Sequence, residues 1–537
     1  MLQSFNVRAF NKYTYSSTFL TIIILLPILS ILIYSYGGNS DTLNHLKETV
    51  LTDYILNTLT LILCVSILSL IFGVISAYLT VFYELKYIGI ISILLALPFV
   101  IPTYILGYIY SDIFGFFSPF HLFLKEMGIV GKNYFDVLNF NSVVVILSLG
   151  LYPYIYLIVK SSFLKSSSAL LYPALSLGKN RFELFYQVIL PLSRPAIIGS
   201  LSLVIMEVIN EYGTVAYYGV DTLSTAIYST WFGLNDPKSS AYLSILAMSI
   251  VFVLLAIEKF SRGNSSYKSE AIAAKVKKIK LGGFKKTLIY LFLSIPILFG
   301  FLIPFIWIVF YSFRFALEVI DDEFISSIIN SFVASSLSAI TIVLIALLIS
   351  YTVRIYNTTY TKYLIKFAGI GYAIPGVIIG VGVLSLFGAI DHFLIETFSL
   401  NELVISGTLL ALVFGYTVRF LAVGLNMCEG SFEKISLNVN KASRNLGLNY
   451  WQTLIKVEFP LMKKTLLFAL LMVFVDITKE LPLTLVLRPF NYETLSTKTF
   501  EYASNTMIQE SAIYALVIVL ICFIPVIISN KKEEVEK

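Results

Sequence analysis

Residues 174–195 read ALSLGKNRFELFYQVILPLSRP, and residues 443–464 repeat the same pattern as SRNLGLNYWQTLIKVEFPLMKK. The glycine and the proline that the two copies share are separated by 269 residues in both cases (447 − 178 and 460 − 191). Each copy is polar and basic, and each lies between long apolar stretches. Because this separation is close to half of the 537 residues, the sequence indicates that the loop was duplicated together with its surroundings.

The composition is that of an integral membrane protein. Hydrophobic residues make up 58% of the chain, charged residues 13%, and the mean hydropathy is +0.85. Soluble domains are about 45–50% apolar and about 25% charged. We predict twelve membrane spans, at about 17–36, 54–80, 86–110, 142–160, 196–220, 240–258, 287–312, 330–353, 363–389, 403–426, 464–487 and 511–530. Eleven or thirteen spans are alternatives, since the regions 86–110 and 363–389 contain Pro and Gly, but an even count agrees better with the duplication.

The densest basic segment lies between the two halves. Nine Lys or Arg residues occur from Lys259 to Lys286, which is typical of a cytoplasmic loop rather than of nucleic-acid binding. This orientation puts both termini and both copies of the loop in the cytoplasm. Six spans on each side give both halves the same orientation, so we predict an all-α integral membrane protein of two parallel six-helix repeats. The predicted divisions are a first half at 1–258 with its loop at 161–195, a linker at 259–286, and a second half at 287–537 with its loop at 427–463.

Each copy of the loop predicts a helix, a glycine, a second short helix and a proline. The glycine suits the left-handed position that ends a helix, and an Asn and a Glu or Gln form a capping box for the next one. The proline is expected to stop that second helix before the following span. A short amphipathic helix at a membrane surface either lies on lipid or docks into a partner, and the duplication favours docking on a symmetric dimer. The glycine, the two capping-box residues and the proline are, in the first and second copy respectively, Gly178 and Gly447, Asn180 and Asn449, Glu183 and Gln452, and Pro191 and Pro460.

The spacing from Gly178 through Val188 to Pro191, with its second copy, resembles the signature loop of permease subunits of ATP-binding-cassette importers. In that family the loop forms a coupling helix in a groove of the nucleotide-binding subunit. The resemblance implies a fold like that of type I importer permeases. The coupling residues that it implies are Ala174, Gly178, Asn180, Glu183, Val188, Pro191, Ala442, Gly447, Asn449, Gln452, Val457 and Pro460.

The same resemblance implies partners and a location. Two ATPase subunits, an external or periplasmic substrate-binding protein and the lipid bilayer are the expected partners. The expected location is the bacterial cytoplasmic (inner) membrane. The chain lacks a Gly-rich phosphate loop, so ATP hydrolysis is expected in a separate subunit and no enzymatic activity or cofactor is expected here.

One departure from the family pattern separates the two copies. The family usually opens this loop with Glu-Ala-Ala, whereas residues 172–174 are Tyr-Pro-Ala and residues 441–443 are Lys-Ala-Ser. The missing acidic residue predicts a different detailed contact with the ATPase and the same docking mode. Since the two copies also differ from each other, we expect the halves to hold their ATPases unequally.

The substrate prediction comes from three stretches that resemble the ferric-iron branch of the family. They are EYGTV at 211–215, TKELP at 478–482 with LRPFN at 487–491, and VRFLAV at 418–423. Ferric iron is therefore the expected cargo, with thiamine, a polyamine or a phosphonate as alternatives in the same architecture. A secondary transporter also uses two parallel six-span halves, but it needs no docking helices. A membrane-embedded enzyme is disfavoured because the sequence shows no catalytic set.

Ionisable side chains inside spans are expensive, so they point to function. Glu211 and Glu480 match across the repeat, again 269 residues apart (480 − 211). Our hypothesis is that they line a translocation pathway together with Lys479, Asp476 and Arg419, since carboxylates suit a hard cation such as Fe³⁺. The alternative is that Lys479 and Arg419 pair with nearby carboxylates inside the helix bundle. The three histidines have no second ligand at metal spacing, so we expect no resident metal site.

Two further features repeat. DTLST at 221–225 recurs as ETLST at 493–497, and Pro102 with Gly107 lies near the position of Pro375 with Gly380. The two prolines are expected to kink their spans.

Overall fold

The computed structural model describes residues 11–36, 41–115, 118–128, 137–176, 183, 185–262, 278–280, 282–400 and 402–535. Within these ranges the secondary structure is helical, and the one β-bridge joins Tyr83 to Ile279. The α-helices are α1 Lys12–Ser35, α2 Asp41–Thr49, α3 Leu51–Phe82, α4 Ile88–Leu94, α5 Thr103–Ile113, α6 Pro119–Glu126, α7 Phe140–Ser176, α8 Leu190–Asn210, α9 Gly213–Tyr217, α10 Leu223–Tyr228, α11 Pro237–Arg262, α12 Gly283–Ile297, α13 Ile303–Val319, α14 Asp322–Tyr356, α15 Thr359–Ala368, α16 Gly376–Phe398, α17 Leu409–Lys434, α18 Leu437–Asn445, α19 Tyr450–Thr453, α20 Phe459–Thr478, α21 Pro482–Leu487, α22 Leu495–Ser504 and α23 Ile508–Val535.

The membrane class is confirmed by the length and composition of the helices. In the described part of the chain, 10 helices are long and apolar enough to cross a membrane, and the bent pair Ile88–Val100 and Thr103–Ile113 makes up to 11. The bend of 92° confirms the kink predicted at Pro102. The count falls short of the predicted twelve because α20, the long helix of the region 464–487, carries three charged residues, Lys463, Lys464 and Asp476.

The helices form two compact units that do not follow the two halves of the sequence. The first-half unit contains Leu46–Ala226, Leu246–Val319 and Thr499–Lys537, and the second-half unit contains Met1–His45, Ile227–Ile245 and Ile320–Lys498. Helix α1 therefore belongs with the second half, whereas α12, α13 and α23 belong with the first. The divisions at 258 and 287 remain a prediction about the repeat in the sequence.

In the second-half unit, α1 packs closely against α16. A Cβ added to Gly382 would lie 2.5 Å from the carbonyl oxygen of Pro27. At the same crossing, the Ser30 hydroxyl donates a hydrogen bond to the carbonyl of Gly382 at 2.7 Å. Small residues and hydroxyl bonds are the usual means of helix association where lipid is as apolar as the side chains.

Proline does not end the helices that follow the repeated loops. The π-helical turns Phe185–Ile189 and Leu454–Glu458 lead directly into α8 and α20, whose second residues are Pro191 and Pro460. A proline ring clashes with the carbonyl four residues earlier, and here that carbonyl lies in the wider π turn. The third example is Leu298–Leu302 before Pro304. The prediction that Pro191 and Pro460 stop the helix is therefore wrong.

We expect Gly382→Ala to reduce the free energy of unfolding by about 1–3 kcal/mol, because the new methyl group overpacks the crossing with α1. The measurement is the thermal denaturation midpoint of the detergent-solubilised protein. The control is Gly388→Ala in the same helix, where an added Cβ meets nothing within 4 Å. Equal midpoints for the two variants would contradict the close packing of α1.

Candidate functional site: two repeated loops and two glutamate junctions

The second loop (427–463) ends its first helix as predicted. Gly447 has a φ of +91°, a conformation that glycine adopts without strain. Its N–H donates to the carbonyl of Arg444 at 3.0 Å, and the N–H of Leu448 donates to the carbonyl of Ser443 at 3.2 Å. These two bonds form a Schellman motif, which satisfies the free carbonyls at the end of α18. The helix-ending conformation predicted for Gly447 is confirmed, and its part in coupling stays a prediction.

The next helix begins with the predicted capping box. The N–H of Gln452 donates to Oδ1 of Asn449 at 2.8 Å, and the N–H of Asn449 donates to Oε1 of Gln452 at 3.0 Å. Ala442 lies in α18, where its carbonyl accepts the N–H of Leu446 at 3.1 Å. The second loop is therefore two helices joined at a defined turn.

The first loop (161–195) is described only in part. Gly178 and Asn180 lie outside the described residues, so their helix-end and cap assignments stay predictions. Ala174 lies in α7, which runs unbroken to Ser176, and Glu183 precedes the π turn that leads into α8. Val188 in this π turn and Val457 in the matching π turn are both half-buried.

The second loop presents exposed apolar side chains beside its turn. Leu446 is 84% exposed, Trp451 47% and Ile455 49%, whereas Leu454 is buried. We call these three exposed residues the apolar face. In the first loop Tyr186 matches Ile455 (455 − 186 = 269) and is 51% exposed. A defined turn carrying exposed apolar residues is a surface suited to a protein partner.

Glu211 is buried at a break in a membrane helix of the first-half unit. The break separates α8 from the short helix α9. Oε1 of Glu211 accepts the N–H of Thr214 at 2.8 Å and the Thr214 hydroxyl at 2.9 Å. The Thr103 hydroxyl donates to Oε2, which brings the first turn of α5 to the same carboxylate. Glu211 thus satisfies main-chain and side-chain donors that the broken helix leaves free.

Glu480 occupies the matching break between α20 and α21 in the second-half unit. Its Oε1 accepts the N–H of Leu483 at 3.2 Å, and a Cβ added to Gly376 would lie 2.6 Å from that oxygen. Its Oε2 lies 3.4 Å from Nε of Arg419, whose Nη1 donates to the carbonyl of Ile374 at 3.1 Å. The second carboxylate is therefore held by an arginine where the first is held by a threonine hydroxyl.

The repeated segments DTLST at 221–225 and ETLST at 493–497, which we call the hydroxyl segments, form hydrogen bonds with these glutamates. The hydroxyl of Ser224 donates to the main-chain carbonyl of Glu211 at 2.7 Å, and Ser496 donates to that of Glu480 at 2.9 Å. The sequence presented the glutamates and the hydroxyl segments as separate repeats, and the structure joins them. We call each assembly a glutamate junction, the first built on Glu211 and the second on Glu480.

Sequence reasoning missed one pair of residues in each junction. The Asn57 side chain donates to the carbonyl of Asp221, and the Asn330 side chain donates to that of Glu493, both at 3.0 Å. The next residues, Thr58 and Ser331, accept the N–H groups of Leu223 and Leu495 at 3.0 Å and 2.8 Å. The signal was present as Asn-Thr at 57–58 and Asn-Ser at 330–331, which share an offset of 273 (330 − 57).

The charged residues of the eleventh predicted span pair locally. Lys479 lies 3.1 Å from Asp476, and Arg419 lies beside Glu480. The alternative that Lys479 and Arg419 pair with nearby carboxylates is therefore confirmed. The lining of a translocation pathway by Glu211, Glu480, Lys479, Asp476 and Arg419 stays a prediction. Among the described residues, no group of three or more His, Cys, Asp or Glu is placed to hold a metal ion.

Comparison with known proteins agrees with this architecture. Residues 69–258 match the family described as binding-protein-dependent transport system inner membrane component. An Fe(3+)-transport system permease protein of Haemophilus influenzae is 25% identical over 524 residues, covering 96% of this chain and 97% of the relative. A ferric transport system permease protein of Actinobacillus pleuropneumoniae is 24% identical, over 76% of this chain and 61% of the relative.

The chain resembles the fused permeases of binding-protein-dependent ferric-iron importers. A half-length relative, the molybdate/tungstate transport system permease protein of Methanocaldococcus jannaschii, is 26% identical over 47% of this chain and 99% of its own length. This permease is a multi-pass protein of the inner membrane and a transport component rather than an enzyme. The family that residues 69–258 match works in general with ATPase and substrate-binding partners.

We expect Gly447→Ala to destabilise the turn of the second loop by about 1–2 kcal/mol, because a side chain is unfavourable in a left-handed conformation. The measurement is amide hydrogen exchange of residues 437–453, which should become faster. The control is Gly430→Ala in α17, where an added Cβ meets nothing within 4 Å and exchange should not change. Unchanged exchange in Gly447→Ala would contradict the strain argument.

Proposed function

We propose that this permease forms the membrane pathway of an ATP-driven importer and is coupled to two ATPase subunits through its two repeated loops. The observation that carries the proposal is the second loop, in which a Schellman turn at Gly447 and a capping box at Asn449 present the apolar face beside a membrane helix. Because α19 continues through a π turn into α20, a partner held at this face acts directly on a membrane helix. The duplication supports a second site at the first loop.

The orientation follows from charge. We infer that both termini, the basic linker 259–286 and both loops lie on the cytoplasmic side, where the ATPases are located. The loops between spans on the other side then meet the substrate-binding protein.

We infer that the cargo is ferric iron. Support comes from the relative of nearly equal length, whose name gives Fe(3+) transport, and from the stretches at 211–215, 478–482 and 487–491. Two of these stretches, 211–215 and 478–482, contain the junction glutamates, so the residues that carry the resemblance are those that shape the helix breaks. Hydrogen bonds inside each junction already occupy these carboxylates, which favours a supporting role for them over direct ligation of the cargo.

We expect Trp451→Asp combined with Ile455→Asp to weaken ATPase binding by at least about tenfold. The variant loses the apolar surface that binding buries, and the new carboxylates lose part of their hydration at the contact, which costs free energy. Co-purification of the ATPase subunit with the permease measures this. Phe490→Asp is the control, since Phe490 is 93% exposed but lies on the opposite side of the membrane in our orientation. If both variants retain the ATPase equally, the apolar face is not the docking site.

We expect ATP-dependent uptake of Fe³⁺ in proteoliposomes that contain the permease, its ATPase subunits and the cognate binding protein. Thiamine, a polyamine and molybdate, each offered with the same components, should give uptake at the background of liposomes without ATP. Uptake of one of these in place of Fe³⁺ would overturn the cargo and leave the importer assignment intact. Uptake without the ATPase subunits would overturn the importer assignment and favour a secondary transporter.

A further inference from the structure

Arg354 lies at the end of membrane helix α14 and reaches a helix break in the second loop. Its Nη1 donates to the carbonyl of Phe432 at 2.6 Å, and its Nη2 donates to the carbonyl of Ile435 at 3.0 Å. The break lies between α17 and α18, where the carbonyl of Phe432 also accepts the N–H of Ile435 at 3.2 Å and the carbonyl of Ile435 lies outside both helices. Arginine binds such carbonyls well because its donors are arranged in a planar fork. Arg354 thus connects α14 to the point where the second loop begins.

The same guanidinium is paired with a buried carboxylate at the other end of that loop. Its Nε donates to Oε1 of Glu458 at 2.9 Å, and the two side chains are 7% and 0% exposed. Glu458 is the last residue of the π turn before α20, and its Oε1 also accepts the side-chain amide of Asn440 in α18 at 3.3 Å. One ion pair therefore joins α14, α18 and the start of α20.

A second contact supports the same connection one turn earlier. The Tyr351 hydroxyl, also on α14, donates to the carbonyl of Tyr450 at 2.6 Å. Tyr450 is the first residue of α19, directly after the N-cap residue Asn449, and the Arg444 guanidinium lies 3.5 Å from the centre of its ring. The helix that carries Trp451 is therefore held to α14 on one side and to α18 on the other.

The first loop lacks this ion pair. The position that matches Glu458 is Ile189 (458 − 269), and the position that matches Arg354 by the offset of the Asn-Thr and Asn-Ser pairs is Val81 (354 − 273). Both are buried. Helix α7 also runs unbroken through residues 166 and 167, which match the break at 435 and 436, so the first loop exposes no free carbonyls there. The charges occur only in the copy whose helix is broken.

We propose that Arg354 and Glu458 are positioning residues that hold the second docking segment, residues 437–458, rigidly to membrane helix α14, so that movement of a docked ATPase reaches the membrane helices. The ion pair takes the place of the unbroken helix α7 in the first loop. The inference deepens the proposed function, since it rests on the second loop being a docking site. It also gives a physical cause for unequal attachment of the two ATPases.

The chemistry predicts different effects for single and double substitutions. Arg354→Val leaves the carboxylate of Glu458 buried without its cation, which is more damaging than removing both charges together. Arg354→Val combined with Glu458→Ile removes both and gives the second loop the residues of the first. Arg354→Lys keeps the charge but has one nitrogen in place of three, so its effect on the second loop should be smaller than that of Arg354→Val.

The first experiment needs no ATPase. Amide hydrogen exchange of residues 437–458 is measured for the full chain in lipid nanodiscs. We expect at least about tenfold faster exchange in Arg354→Val and a smaller increase in the double variant, because only the single variant strands a buried charge. Glu433→Gln, an exposed charge at the same end of α17, is the matched control and should not change the exchange. Unchanged exchange in Arg354→Val, or faster exchange in the double variant than in the single one, would overturn the proposal.

The second experiment measures cargo taken up per ATP hydrolysed by the complete importer in proteoliposomes. We expect Arg354→Val complexes that retain their ATPase subunits to lose at least about fivefold in this ratio, the lower range of a typical coupling free energy. A purely structural role would reduce the amount of complex and leave the ratio unchanged, which would overturn the proposal. Should Arg354→Val not fold, Arg354→Lys must show a reduced ratio. Failure of the wild type to bind any ATPase would instead refute the proposed function. The hydrogen-exchange result would still test whether Arg354 and Glu458 hold residues 437–458 to α14.

Discussion

The constraint on which this structure depends is that a main-chain N–H or carbonyl in the hydrocarbon must find its partner inside the protein. Several membrane helices of this chain are broken, and each break leaves main-chain groups that need partners outside the helix. At each glutamate junction a buried carboxylate accepts an N–H of the helix that follows the break, and a serine hydroxyl binds the carbonyl of the same glutamate. The helix breaks are stable because these partners are built into the repeat.

Widened turns solve a related problem in the continuous helices. The π turns before Pro191 and Pro460 let one helix run from the docking loop into the membrane. A proline stop would have separated the loop from the span by a joint. With the helix continuous, a force on the loop would act on the membrane helix directly, as the proposed coupling to a separate ATPase requires.

The two copies show that a duplicated device can be stabilised by different chemistry. One junction holds its glutamate with Thr103 and the other with Arg419. One loop continues from an unbroken helix with apolar residues at the matching positions, and the other has a helix break bound by Arg354. The two copies share the geometry of the helix breaks and turns, whereas the side chains that bind the buried groups differ between the halves.

Sequence alone determined the membrane class, the repeat, the capped turn at Gly447 and Asn449, and the kink at Pro102, because these follow from composition and from local backbone chemistry. It failed at Pro460, where a widened turn removed the expected clash. Only the tertiary structure joined Glu211 to Ser224 and Thr103, and Arg354 to Glu458, since these partners are 13 to 108 residues apart and local patterns carry no record of such distances. It also decided that α1 belongs to the second-half unit, because the close approach of Pro27 to Gly382 depends on packing between helices that are far apart in the chain.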